Sequence, residues 1–128
     1  MKQAQLEQAR AHLEQALKLD ANNYIAVINL GITYFHLKDR KNAKAQFRSA
    51  LEKCPLDSVV GRLSKVTALL GLEESEEALE LLQQTRENFN ISPGEKEMFF
   101  TDWNLLANSP EPRAGIGEFL EQAKEILS

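Results

Sequence analysis

Between Tyr24 and Asp57 small and bulky apolar residues alternate at a spacing that two helices in antiparallel contact satisfy. Val27, Leu30, Ile32, Tyr34 and Leu37 recur at near-helical intervals, and Gly31 among them lets a neighbouring backbone come close. After a turn at Lys38-Asp39-Arg40, Ala43, Phe47, Ala50 and Leu51 make a second stripe, with Lys41, Lys44 and Arg48 on its other side. Small residues at 43 and 50 flank one ring at 47, a knob between two shallow places on the opposing helix. Pro55 ends the hairpin.

This order of residues resembles the tetratricopeptide repeat, in which a bulky residue is followed by Leu-Gly, Tyr, a small Ala, an aromatic, a second Ala and a closing Pro. Here the slots hold Val27, Leu30-Gly31, Tyr34, Ala43, Phe47, Ala50 and Pro55, and only Val27, where the pattern prefers Trp, departs. The resemblance implies an all-α solenoid, a right-handed superhelical array of antiparallel hairpins with about seven helices in one domain. Residues 24–57 are its best-matching repeat.

The rest of the chain fits with falling fidelity. In 1–23 a helix from Gln3 to Leu19 carries Leu6, Ala9, Leu13, Ala16 and Leu17 as one stripe. Ala9, Leu13 and Ala16 repeat the spacing of Ala43, Phe47 and Ala50, so it reads as the second half of a repeat, either the start of a piece of a longer array or a cap. Residues 58–90 read as a degenerate repeat. Asp57 caps a helix over 58–70, Leu63-Ser64 stands for Leu-Gly, and Gly71 closes it. A loop about two residues longer than in the family pattern then leads to a helix capped by Ser75, with Ala78, Leu82 and Thr85 on its stripe.

Residues 91–128 read as a weak C-terminal hairpin. Ser92, Pro93 and Glu95 form a helix start, and Met98, Phe99, Phe100, Trp103, Leu105 and Leu106 run to about Ala107, the aromatics reading as core. Ser109-Pro110 opens the last helix, whose stripe runs from Ile116 to Leu127 and whose first turns Gly115 and Gly117 weaken.

Composition excludes several functions. A net charge of −4 and a pI near 5.2 do not suit a nucleic-acid binder, and no nucleic-acid motif is present. One cysteine, Cys54, forms neither an internal disulfide nor a thiolate metal cluster and reads as a structural thiol. His12 and His36 lack neighbouring co-ligands, and no phosphate loop or catalytic set emerges, so neither metal, cofactor nor enzymatic activity is expected. The acidic run Glu73, Glu74, Glu76, Glu77, Glu80 suits a helix N-terminus, and Lys38, Arg40, Lys41, Lys44 and Arg48 read as a solvated face. Without a signal peptide or an apolar run long enough for a bilayer, a cytoplasmic location is the expectation.

The resemblance further implies a scaffold that holds a peptide or helix of another protein in a concave groove. Carried over, the groove face is Ile25, Ile28, Asn29, Ile32 and His36, then Arg62 and Lys65 on the next first helix. Ile28 and Ile32 are expected to be partly exposed, and the two cations to make a positive rim suited to an amphipathic or acidic segment. Two other readings are a regulatory or targeting segment of a larger enzyme or secretion machine, and a chaperone adaptor that clamps a C-terminal carboxylate. Asn29 and Arg62 occupy clamp slots, but Ser58 stands where a Lys would be needed, and the helix for two more positions is absent from this sequence. A monomer is expected, with Ala9 and Leu13 the edge for any weak self-association.

Overall fold

Polar residues with nothing apolar to bury set the helix boundaries. In the computed structural model, which describes residues 3–107 and 115–128, the Asn23 side chain accepts the Ala26 N–H and opens α2 (Tyr24–His36). Asp39 accepts the Asn42 N–H and opens α3 (Arg40–Lys53). Ser58 Oγ accepts the Gly61 N–H and opens α4 (Val59–Gly71), one residue after the expected cap Asp57. Ser92 and Glu95 exchange reciprocal bonds of 2.9 and 3.1 Å at the start of α6 (Pro93–Ala107), the expected capping box. Before α2 lies α1 (Gln3–Leu19), and α5 (Ser75–Asn88) and α7 (Ile116–Leu127) complete an all-α repeat array. The expected start of the last helix at Ser109-Pro110 falls outside the described residues; Gly115, at φ 84°, stands before α7 and not within it.

Two turns are built alike. Lys38 and Glu73 take left-handed backbone at φ 63° and 65°, and the amides of Lys38 and Asp39, like those of Glu73 and Glu74, return to carbonyls of the helix just ended. Each boundary of the second hairpin therefore lies 35 residues after its counterpart in the first. Three residues separate the helices in both, so no longer loop precedes α5. Gly31 then corresponds to Val66, not to Ser64 as the Leu-Gly match suggests, and Glu74, not Ser75, holds the cap position of α5.

Packing follows the small residues. Phe47 is fully buried between α2 and α4: a Cβ on Gly31 would lie 2.7 Å from its ring, and one on Gly71 2.4 Å. Gly71 is thus a seat for the ring, while Glu73 makes the helix stop. Gly61 is tighter still, since a Cβ there would stand 1.9 Å from the Pro55 carbonyl oxygen, so α4 rests directly on the backbone of the preceding turn. Gly61→Ala improves helix propensity by about 1 kcal/mol, but the turn must move to admit the methyl. We expect a net loss of about 3 kcal/mol in urea unfolding. An unchanged or higher midpoint would mean that α4 does not lie on Pro55.

Beyond this junction, α1 packs on α2, where the Tyr34 hydroxyl donates to Glu14 at 2.7 Å and Arg10 pairs with the same carboxylate at 3.1 Å. That hydrogen bond holds the Glu14 pKa below its ordinary value and, after burial, helps raise that of Tyr34. Cys54 is buried, and burial pushes its thiol up to about 11, in keeping with a structural role. At the other end α6 packs on α4 and reaches past it to α2, while α7 covers α5 and α6. The helices α2, α4 and α6 are therefore in mutual contact, and α1 packs on α2 beside them.

A candidate protein-binding groove between α1, α2 and α6

The sequence of α6 carries two stripes one residue apart. Phe99, Trp103 and Leu106 are buried in the core, whereas Met98, Asp102 and Leu105, at the same i, i+4, i+7 spacing, turn toward α2. A cavity of about 390 Å³ opens where this second stripe, the inner face of α2 and the stripe of α1 converge. Leu6, Ala9, Leu13, Ile32 and Leu105 supply its apolar walls, and His12, Asn29, Thr33, His36 and Asp102 its polar groups. A second cavity of about 230 Å³ lies along the same face between Ile25, Ile28, Val60, Ser64, Met98 and Phe99. Asn29 and Asp102 line both, so the two form one groove with a polar waist.

The electrostatics of the waist are simple. Burial alone pushes the half-buried Asp102 carboxyl up to about 6, and no cation among the described residues pairs with it. Burial also pulls the His36 imidazole below its ordinary value, which leaves it neutral at pH 7, and its Nε2 is buried with no hydrogen-bond partner among the described residues. Among those residues no group of three His, Cys, Asp or Glu side chains is placed to hold a metal ion, and no helix is long and apolar enough to cross a membrane.

Of the residues carried over from the family, Ile25, Ile28 and Asn29 line the smaller cavity and Asn29, Ile32 and His36 the larger. The expected exposure of Ile28 and Ile32 is corrected: they retain 3% and 6%, because α1, α4 and α6 all pack against α2. Arg62 and Lys65 line neither cavity. The Arg62 guanidinium donates to the Leu56 carbonyl at 2.7 Å and to Asn88 at 2.9 Å, and stacks 4.8 Å over the Phe89 ring. The charge of Lys65 acts on the Cys54 thiol, against the larger effect of burial. The expected positive rim is therefore not formed. Ala9 and Leu13, expected as the edge for any weak self-association, are half-buried groove walls, which leaves that expectation untouched. Asp102, Met98 and Leu105 were readable only as a second stripe on α6, a signal obscured by the stronger aromatic one beside it.

Comparison with known proteins agrees with the architecture. No curated protein and no solved structure matches the chain. The family model for the tetratricopeptide repeat matches residues 1–65, covering α1, the α2–α3 hairpin with its Phe47 knob, and the start of α4. The chain belongs to the tetratricopeptide repeat family.

Proposed function

We propose that the groove between α1, α2 and α6 holds the apolar face of a helical segment from a partner protein, and that this chain acts as a scaffold without catalysis. One observation carries this reading. Five large hydrophobic side chains stand exposed among the described residues, and three of them, Ile25 at 48%, Met98 at 47% and Leu105 at 42%, rim this one groove. Repeats of this family generally mediate protein–protein interaction. A helix suits the shape, because the α1 stripe with Ala9 and Leu13 is the kind that meets the first helix of a hairpin, and here it faces the groove. An incoming helix would lie against α1 and α2 as that first helix would.

The same groove would serve if this chain is a regulatory or targeting segment of a larger enzyme or secretion machine. A carboxylate clamp has less support, since Arg62 is already engaged by Leu56, Asn88 and Phe89.

Because Ile28 is core, the groove is tested at its rim. A displayed library of amphipathic helices is selected against the protein, and the selected peptides are then measured on Leu105→Ser and Met98→Ser. Both side chains are more than a third exposed, so stability should fall by less than about 1 kcal/mol. Binding should weaken by about tenfold or more in each. Peptides that bind both variants as they bind the unmodified protein would place the interaction elsewhere.

A further inference from the structure

We infer that the partner segment places a lysine or arginine side chain against Asp102, with large aliphatic residues three or four positions to either side. This rests on the groove reading and specifies its ligand. Asp102 stands at the waist, lining both cavities, with apolar walls on each side of it: Leu13, Ile32 and Leu105 toward α1, and Ile28, Met98 and Phe99 toward α4. It is half-buried from α6 itself, and no cation among the described residues pairs with it. Of the two cations on α4, Arg62 is engaged by Leu56, Asn88 and Phe89, and neither it nor Lys65 lines the groove.

A wholly apolar helix laid over the waist would remove the remaining water from this carboxylate and strand it, which is costly. A cationic side chain reverses that penalty. Its aliphatic stem runs along the apolar wall, its head forms a charge-assisted hydrogen bond with the carboxylate, and Asn29 offers a further carbonyl acceptor across the waist. An acidic segment would instead bring like charge to Asp102, so the ligand is a basic amphipathic helix and not the acidic one that a positive rim would have favoured. On such a helix, residues three or four positions from the cation share its face and reach the two cavities.

The test uses fluorescein-labelled synthetic amphipathic helices, identical except for Lys, Gln or Glu at the centre of a leucine-flanked apolar face, titrated by anisotropy. On the unmodified protein Lys should bind about tenfold tighter than Gln, and Glu weakest. In Asp102→Asn, which removes a charge that burial penalises and so keeps the fold, Lys and Gln should bind alike. A second measurement needs no change at Asp102. As pH falls from about 8 to 5, through the carboxyl titration near 6, the Lys advantage should fade. Among the described residues His12 on α1 and His36 on α2 are the other titratable groups lining the larger cavity, and a protonated imidazole at either also repels a cation. The profile is therefore repeated with both changed to Gln, where the fading should persist.

A Lys advantage that survives in Asp102→Asn, or equal binding of Lys and Gln to the unmodified protein, overturns the inference. If that equal binding is still lost in Leu105→Ser, the groove reading stands without it. Should none of the helices bind, both readings fall together.

Discussion

Phe47→Ala should lower the stability of the domain by about 3 to 5 kcal/mol, a large part of the roughly 5 to 15 kcal/mol that holds a domain of this size. The ring is fully buried, and both of its seats are glycines on different helices, so truncation opens a void at the junction of two hairpins. Collapse cannot fill the void, since Gly31 and Gly71 have no side chains to lean inward. The next repeat shows how the same joint is built with other volumes. By the boundaries of the hairpins, Phe47 corresponds to Leu82 and Gly31 to Val66, a smaller knob with a larger seat, and both residues are fully buried. The two positions should therefore be coupled. Gly31→Ala alone drives a methyl to 2.7 Å from the ring, at a cost of about 1 to 3 kcal/mol, and Phe47→Leu should recover part of that loss in a double-mutant cycle. A loss below about 1 kcal/mol for Phe47→Ala in urea unfolding would show that this ring does not join the repeats.

The junction was legible because its signal is local: a glycine, a ring and two alanines within one hairpin specify each other at fixed spacing. The capping box at Ser92 and Glu95 was legible for the same reason. Caps at Ser58 and Glu74 were misplaced by one residue, because neighbouring polar residues satisfy a cap equally well in sequence. The left-handed backbone at Glu73 decides which of Glu74 and Ser75 precedes the helix. Gly61 gave no hint of its part, since its neighbour is the backbone of Pro55 and not a side chain.

The groove was legible only in half. The α2 residues were found from the repeat pattern, but their exposure depends on everything that packs against α2, including α6, a contact between helices far apart in the chain. Arg62 failed as a groove residue for the same reason, since its partner Asn88 lies 26 residues on. A position carried over from a family pattern fixes which face of a helix a residue occupies. It does not fix what that face meets.

Trp103→Ala should cost about 3 to 5 kcal/mol and remove the third wall of the groove with it. Trp103 is fully buried, and its Nε1–H donates at 3.0 Å to Thr67 Oγ1, which in turn donates to the Leu63 carbonyl at 3.1 Å. Around the indole stand Phe100 at 5.1 Å and Phe119 at 5.3 Å, both edge-on, so one side chain links α6 to α4 and to α7. Asp102 is the next residue, and Met98 and Leu105 share its stripe, so the position of the groove wall is set by how firmly this indole is seated. Trp103→Phe keeps most of the packing but loses the N–H, and should cost less, with about 1 kcal/mol of the loss due to the missing hydrogen bond. As Trp103 is the sole tryptophan, unfolding is followed by circular dichroism. At a temperature where the Ala variant retains helical signal from the first hairpins, its peptide binding should already be gone, while the Phe variant should still bind. Full peptide binding by Trp103→Ala would mean that α6 is no part of the binding surface, and the groove would then have to be drawn from α1 and α2 alone.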